Sequence, residues 1–365
     1  MQDISLHFNI YNNPKDSDGK VKEIRDSLSA VASIGKNLFL ASDETTTVER
    51  LKLGAEGRTF SQHQQFQINR YVKLPDSQAE IDIEGMDYDG NYLWIVGSHS
   101  LQRDRPKAKQ SMAENIESLT YVLPRRKIAN RHFLARIPLV ERDGEYELVS
   151  DGDLTAAQLE ISGSSNDLIE ALGADKHLKP FLKIPGKDNG FDIEGLAVRD
   201  RRIFLGLRGP VLRGWAIVLE LEVKVKGNKL KLGKIGSHKR LYKKHFLQLN
   251  GLGIRDLAIA DRDLLILAGP TMSLDGAVQL FRWRNALDDT EAPEQPQETL
   301  IWQAPDKLFP IQDIPYGKGS DRAEGMTIFS GVDGKRSLLV VYDALGASRR
   351  WGDAIARADL FDLGD

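Results

Sequence analysis

Three glutamates stand directly before glycine in like surroundings: Glu84 in DIEGM, Glu194 in DIEGL and Glu324 in RAEGM. Asp82 and Asp192 lie two residues ahead of the first two, and at the matching places elsewhere stand Ser29 and Arg255. A second set, Asp43, Ser98, Arg208, Gly269 and Asp343, recurs about fifteen residues further on, with Glu44 and His99 beside it. Carboxylates that converge cannot all stay ionised and unpaired, because like charges raise one another's pKa. Two compensations are open. Arg208, Arg255 and Arg322 neutralise the acids in a closed ion-pair network, or a hard cation such as calcium sits among the oxygens. A purely structural use is the third: glycine lets backbones pack closely, and glutamate caps neighbouring N–H groups.

The elements that would position these residues repeat. Segments 27–44, 82–99, 192–209, 253–270 and 322–344 each read as strand, tight turn, strand. In the first four, the last apolar residue of one strand and the first of the next hold one spacing: Ser33 to Leu38, Tyr88 to Leu93, Val198 to Ile203 and Ile259 to Leu264. The second strands (LFLA, LWIV, IFLG, LLILA, LLVV) are nearly continuous apolar runs, as expected of strands covered on both faces. Two more strands follow each pair, for example GAVQLFRWR and ETLIWQA after the fourth.

The pattern predicts an all-β chain, one β-propeller over residues 1–365 with five four-stranded blades, six being the alternative. The fifth repeat is followed by only one strand, DAIARADLF, so ISLHFNI at the N-terminus is expected to close the ring and remove an exposed edge. The long interval between the second and third repeats carries two inserts, about 101–129 and 151–189. Helices are expected there over 111–123 and 165–182. In such a ring both residue sets meet at one axial mouth. Asp43, Asp82, Asp192, Arg208, Arg255, Arg322 and Asp343 become candidate ligand-binding residues, and His99 a candidate general base.

The repeated D-I-E-G-[LM] start with its apolar second strand resembles the bacterial propeller family known as domain of unknown function 3616. It is more distantly similar to phytase-like and esterase-like propellers. The resemblance runs from the first repeat to the last. It implies an axial site and, if the distant hydrolases are a guide, calcium held by Glu84, Glu194 and Glu324. Ser29 and Arg255 depart from that pattern, and a guanidinium in the ring could replace the cation.

The rest of the chain narrows the partners. With 41% hydrophobic and 28% charged residues the chain can bury a large core, and it has no cysteine, which removes disulfides and thiolate chemistry. Neither a secretory leader nor a membrane-spanning apolar run is visible, so a cytoplasmic location is expected. A net charge of −3 gives no global field toward nucleic acid or anionic membrane. The two basic stretches, 101–131 and 224–245, read first as a solvated insert and as edge protection of an outer strand. No GxSxG, HExxH, Walker or GxGxxG signature is present. The expected function is binding of a small anionic ligand or a partner segment at the mouth. The alternatives are a calcium-dependent phosphoester or ester hydrolase and a protein-interaction scaffold.

Overall fold

The computed structural model describes residues 2–14, 21–77, 79–163, 165–236, 238–291, 296–331 and 334–363. Most of them are in β-strands, and the turn of the fifth repeat at 332–333 lies outside the described residues. The first strands of the five repeats are Leu28–Ile34, Ile83–Tyr88, Asp192–Arg199, Gly253–Ala260 and Arg322–Ser330. Each packs beside the next, and the last beside the first, so the five surround a common axis. Each also pairs antiparallel with the second strand of its own repeat.

The apolar second strands are covered on both faces. Leu38 and Leu40 of Asn37–Ser42 pack with Leu339 and Val341 of the fifth repeat, whereas Phe39 and Ala41 pack with Leu93 and Ile95 of the second. Alternate residues of one strand thus fill two different sheet interfaces, and an uninterrupted apolar run is what this requires. Near the axis the glycine after each glutamate makes the approach possible. A Cβ on Gly85 would lie 2.8 Å from Leu196 Cβ, and one on Gly195 would lie 2.9 Å from Leu257 Cγ. Alanine at either position would push neighbouring sheets apart.

Gln2–His7 pairs antiparallel with Ile355–Asp362 along its length, and its Ser5 and Leu6 touch Thr59 and Phe60 in parallel. The N-terminal strand therefore links the last sheet to the first. Two more parallel pairings join outer strands: Ala157–Leu159 with Lys229–Leu232, and Glu298–Ile301 with Lys243–Gln248.

The last of these corrects the strand assignment of the fourth repeat. Its fourth antiparallel strand is Leu308–Ile314, not ETLIWQA, and Pro310 fits such an edge position. Glu298–Ile301 instead covers the third sheet. The basic stretch 224–245 is accordingly no free edge. Lys243 and Lys244 are buried against Glu220, Asp175 and Glu298, and Lys229 meets Glu160 at 2.7 Å.

The inserts hold less helix than their spacing suggests. One α-helix spans Met112–Ser118, closed by a Ser111/Glu114 capping box, and another spans Asp167–Leu172. A 3-10 turn follows at Lys179–Lys183, after Gly173 and the Asp175 turn have ended the second helix. No helix among the described residues is long and apolar enough to cross a membrane.

Candidate functional site

Every residue of the first ring sits at a break in strand register. The pairing skips Ser29 between Leu28 and Ala30, Glu84 between Ile83 and Gly85, and Glu194 between Ile193 and Gly195. It likewise skips Arg255 between Ile254 and Asp256, and Glu324 between Ala323 and Gly325. A β-bulge leaves its extra residue unpaired and re-aims that side chain. Three of these bulges bring Glu84, Glu194 and Glu324 from separate sheets to one axial cavity of about 630 Å³, and a fourth brings Arg255 to a smaller hollow beside it. Leu101 to Lys107 of the first insert and Lys187 of the second form part of the cavity wall.

On one side of the mouth the charges are closed. Arg255 Nε lies 3.1 Å from Glu194, and its Nη2 reaches Glu324. Arg208 Nη1 donates to Glu194 at 2.6 Å, while its Nε donates to the Thr271 carbonyl at 2.8 Å. Glu194 and Glu324 therefore share a guanidinium, and Arg255 stands between them. Even so, burial, opposed by Arg255, pushes Glu324 up to about 7.

The other side is open. One carboxylate oxygen each from Asp43, Asp82 and Glu84 lies within 4.8 Å of the others. Asp82 is held by Arg131 at 2.8 Å. Glu84 has no hydrogen bond or ion pair to a described residue, and Asp43 Oδ1 is buried without a partner. Burial, and after it Asp82, Glu194 and Asp43, drives Glu84 well above the usual carboxylate range. Burial, Asp343 and Asp82 do the same to Asp43. Asp192 is 4% exposed, makes no hydrogen bond or ion pair to a described residue, and is pushed up to about 7 by burial and by Glu194.

The carboxylates expected to hold a metal are thus divided. Glu84 belongs to the open group with Asp43 and Asp82, whereas Glu194 and Glu324 belong to the arginine network. Arg322 stands 3.8 Å from Asp343 and is otherwise unengaged among the described residues. Ser29 faces the sheet, donating to the Ile83 carbonyl at 2.5 Å.

His99 is not at the mouth. It adopts a left-handed backbone (φ 56°), which turns the ring into the wall, where Nδ1 meets the Gly97 carbonyl at 2.8 Å and Nε2 meets Asn166 at 2.8 Å. It is 4% exposed, and burial with neighbouring His132 pushes it down to about 3. A histidine neutral across the physiological range with both nitrogens engaged is a structural group, which removes the candidate base.

Several residues of the mouth were not singled out from the sequence. Lys187 is exposed at the cavity, and Asp43, Asp82 and Glu324 raise its pKa against burial and Arg208. It has no ion pair within 4 Å among the described residues, and the one signal for it was its place in the loop before DIEG. Asp87 and Asp256 brace the ring, accepting from Val198 N at 2.6 Å and Met326 N at 2.7 Å in adjacent sheets. The cavity lining as a whole holds twelve Asp and Glu against eight Lys and Arg, and the acids with raised pKa would ionise as a cation binds them.

Comparison with known proteins adds a family and distant shapes. Residues 27–359 match the family described as "Protein of unknown function (DUF3616)". No curated protein matches the chain. Among solved structures, a glutaminyl cyclase of Myxococcus xanthus aligns over 99% of this chain and 98% of its own, at 9% identity and a TM-score of 0.41. A periplasmic gluconolactonase of Pseudomonas aeruginosa aligns over 93% of this chain and 88% of its own, at 13% identity and a TM-score of 0.35.

Proposed function

The chain belongs to the family of unknown function DUF3616, and from the geometry of its mouth we propose that it binds a hard divalent cation, with calcium the first choice, on Asp43, Asp82 and Glu84. A small anionic ligand completes the site. The observation that carries this reading is the three carboxylates with oxygens within 4.8 Å of one another, among them Asp43, whose Oδ1 is buried without a partner, with no protein cation on Glu84. An all-oxygen set of flexible carboxylates suits calcium. The net acidic lining sets the order of events: a cation binds first, and the anion follows to the cation, Lys187 and Arg322. The original expectation of an anion bound by Arg208 and Arg255 is narrowed to the donors that Glu194, Glu324 and backbone carbonyls leave unspent on the two guanidiniums.

The frame for this site we read as a single domain, 1–365, forming a five-bladed propeller. Its support is the five equivalent bulges and the ring of first strands. The expected test result is that millimolar calcium raises the melting temperature by several degrees, since a ligand at ~100 times its Kd adds about 2.7 kcal/mol to the folded state. Glu84→Gln should remove most of that shift while leaving the calcium-free melting temperature equal or higher, because it discharges a strained carboxyl. Melting unmoved by calcium, magnesium or manganese, with no metal in the purified protein, would overturn the cation reading.

A second reading, metal-assisted hydrolysis of an ester or phosphoester, rests on Asp192. A buried, unpaired carboxyl near pKa 7 can give up or take a proton at neutral pH. A bound cation would supply polarisation of the scissile carbonyl or phosphoryl oxygen. Asp192 would hold the proton that moves to the leaving group, and the surrounding sheets would exclude bulk water. A phosphatase and esterase substrate panel separates this from binding alone. Turnover lost in Asp192→Asn with calcium binding retained supports catalysis, and no turnover on any substrate retires it.

A further inference from the structure

Beside the acidic floor lies a second, smaller hollow of opposite character. It is bounded by Lys187, Arg208, Arg255 and Arg322, four cations against the two carboxylates Glu324 and Asp275, and by the loops around 270–276 and 316–320. We propose that this hollow is the specificity subsite of the mouth, and that the ligand is a small organic acid with a compact anionic head and a short aliphatic group. The proposal rests on the site reading above, which it extends by naming the ligand class.

Depth and polarity are ordered. Arg208 and Arg255 are each 5% exposed and form the inner wall. A guanidinium has five N–H donors; Arg208 donates three hydrogen bonds to described residues and Arg255 two, so at least two remain on each. The hollow as a whole encloses about 40 Å³, enough for two or three waters and thus for a carboxylate or phosphate head, with an aliphatic group left to lie along the rim. The outer wall is apolar: Met272, Leu274 and Tyr316 are 44%, 56% and 49% exposed. These side chains sit on loops held in place from within. Arg208 bonds the Thr271 and Met272 carbonyls, and Asp275 accepts from Gly319 N at 2.9 Å, tying the two loops together. Exposed apolar groups on anchored loops above buried unspent donors match an amphiphile that enters head first. Lys187 lines both this hollow and the acidic cavity, so the head lies where the cation site can also reach it.

The test is a homologous series of acids, acetate, butanoate and hexanoate, with hexyl phosphate and hexylamine, titrated calorimetrically into the full chain with and without calcium. Affinity should rise about tenfold from acetate to hexanoate, because four more methylenes become partly buried against the rim. Hexyl phosphate should follow hexanoate, and hexylamine should not bind. Arg322→Ala should weaken both acids about tenfold. Leu274→Ser, on an exposed loop where folding is not at stake, should weaken hexanoate severalfold and leave acetate unchanged. Affinity independent of chain length, or hexylamine binding as well as hexanoate, would overturn the subsite. Calcium titrated alone reports on the cation reading by itself. Chain-length dependence without any calcium binding would refute that reading and keep the hollow, and calcium binding without chain-length dependence would do the reverse.

Discussion

Arg255→Met should destabilise the protein by about 3–5 kcal/mol at pH 8, read by chemical denaturation, because breaking a buried ion pair leaves an uncompensated charge. Arg255 is the only cation within ion-pair distance of Glu324 among the described residues, whereas Glu194 keeps Arg208 at 2.6 Å. The cost therefore falls mainly on Glu324. That residue has an escape: it already sits near pKa 7 and can take a proton once the guanidinium is gone. The destabilisation should be smaller by about 1.4 kcal/mol at pH 6, where protonation costs little. Adding Glu324→Gln to Arg255→Met should recover about 1 kcal/mol at pH 8, since the orphan carboxyl then needs no proton. A loss under about 1 kcal/mol, or no recovery in the double variant, would mean that Arg255 is not the keystone of this half of the ring.

How much of this could be read beforehand divides by length scale. The repeat was legible because each second strand is covered on both faces, which leaves an unbroken apolar run at fixed distance from its turn. The place of the N-terminal strand was legible because the fifth repeat lacked a partner for its last strand. The bulges were not. Glu84 in IEGM satisfies ordinary strand alternation, and only pairing shows that it is skipped. For the same reason His99 was misplaced: one left-handed residue just past the strand turns its ring from the mouth into the wall. ETLIWQA reads as a strand and is one, but sequence says nothing of which sheet it joins, and it lies parallel to the neighbouring repeat. The counter-charges were hidden for a further reason. Arg131 and Lys187 come from inserts without repeat equivalents, so no spacing marks them as facing Asp82 and Asp43. The ring could be counted from sequence; the division into a closed arginine half and an open carboxylate half could not.

The buried carboxyls around the axis should make the calcium-free protein lose stability as pH rises from about 5 to 8.5. Asp87, Asp192 and Glu324 are all pushed up to about 7, chiefly by burial, from an ordinary value near 4. Between those values the folded state binds more protons than the unfolded one, so stability falls as pH rises through 7. From pH 6.5 to 8.5 each group removes about 0.8 kcal/mol, together roughly 2–3 kcal/mol, or some 2–5 °C in melting temperature. On the acid side two histidines oppose the three carboxyls and flatten the rise. Burial holds His99 near 3 and His132 near 4, so below about pH 6.5 the unfolded chain takes up protons that the folded chain refuses. Calcium should change the alkaline limb alone. A cation on Asp43, Asp82 and Glu84 favours their ionised forms, so its stabilising effect should grow between pH 6.5 and 8.5. Melting scans across this range, with chelator and with calcium, test both statements. A calcium-free profile that rises steadily to pH 8.5 would mean these carboxyls are ionised at no cost. A calcium effect of equal size at both ends would place the ion on carboxylates other than the strained ones at the axis.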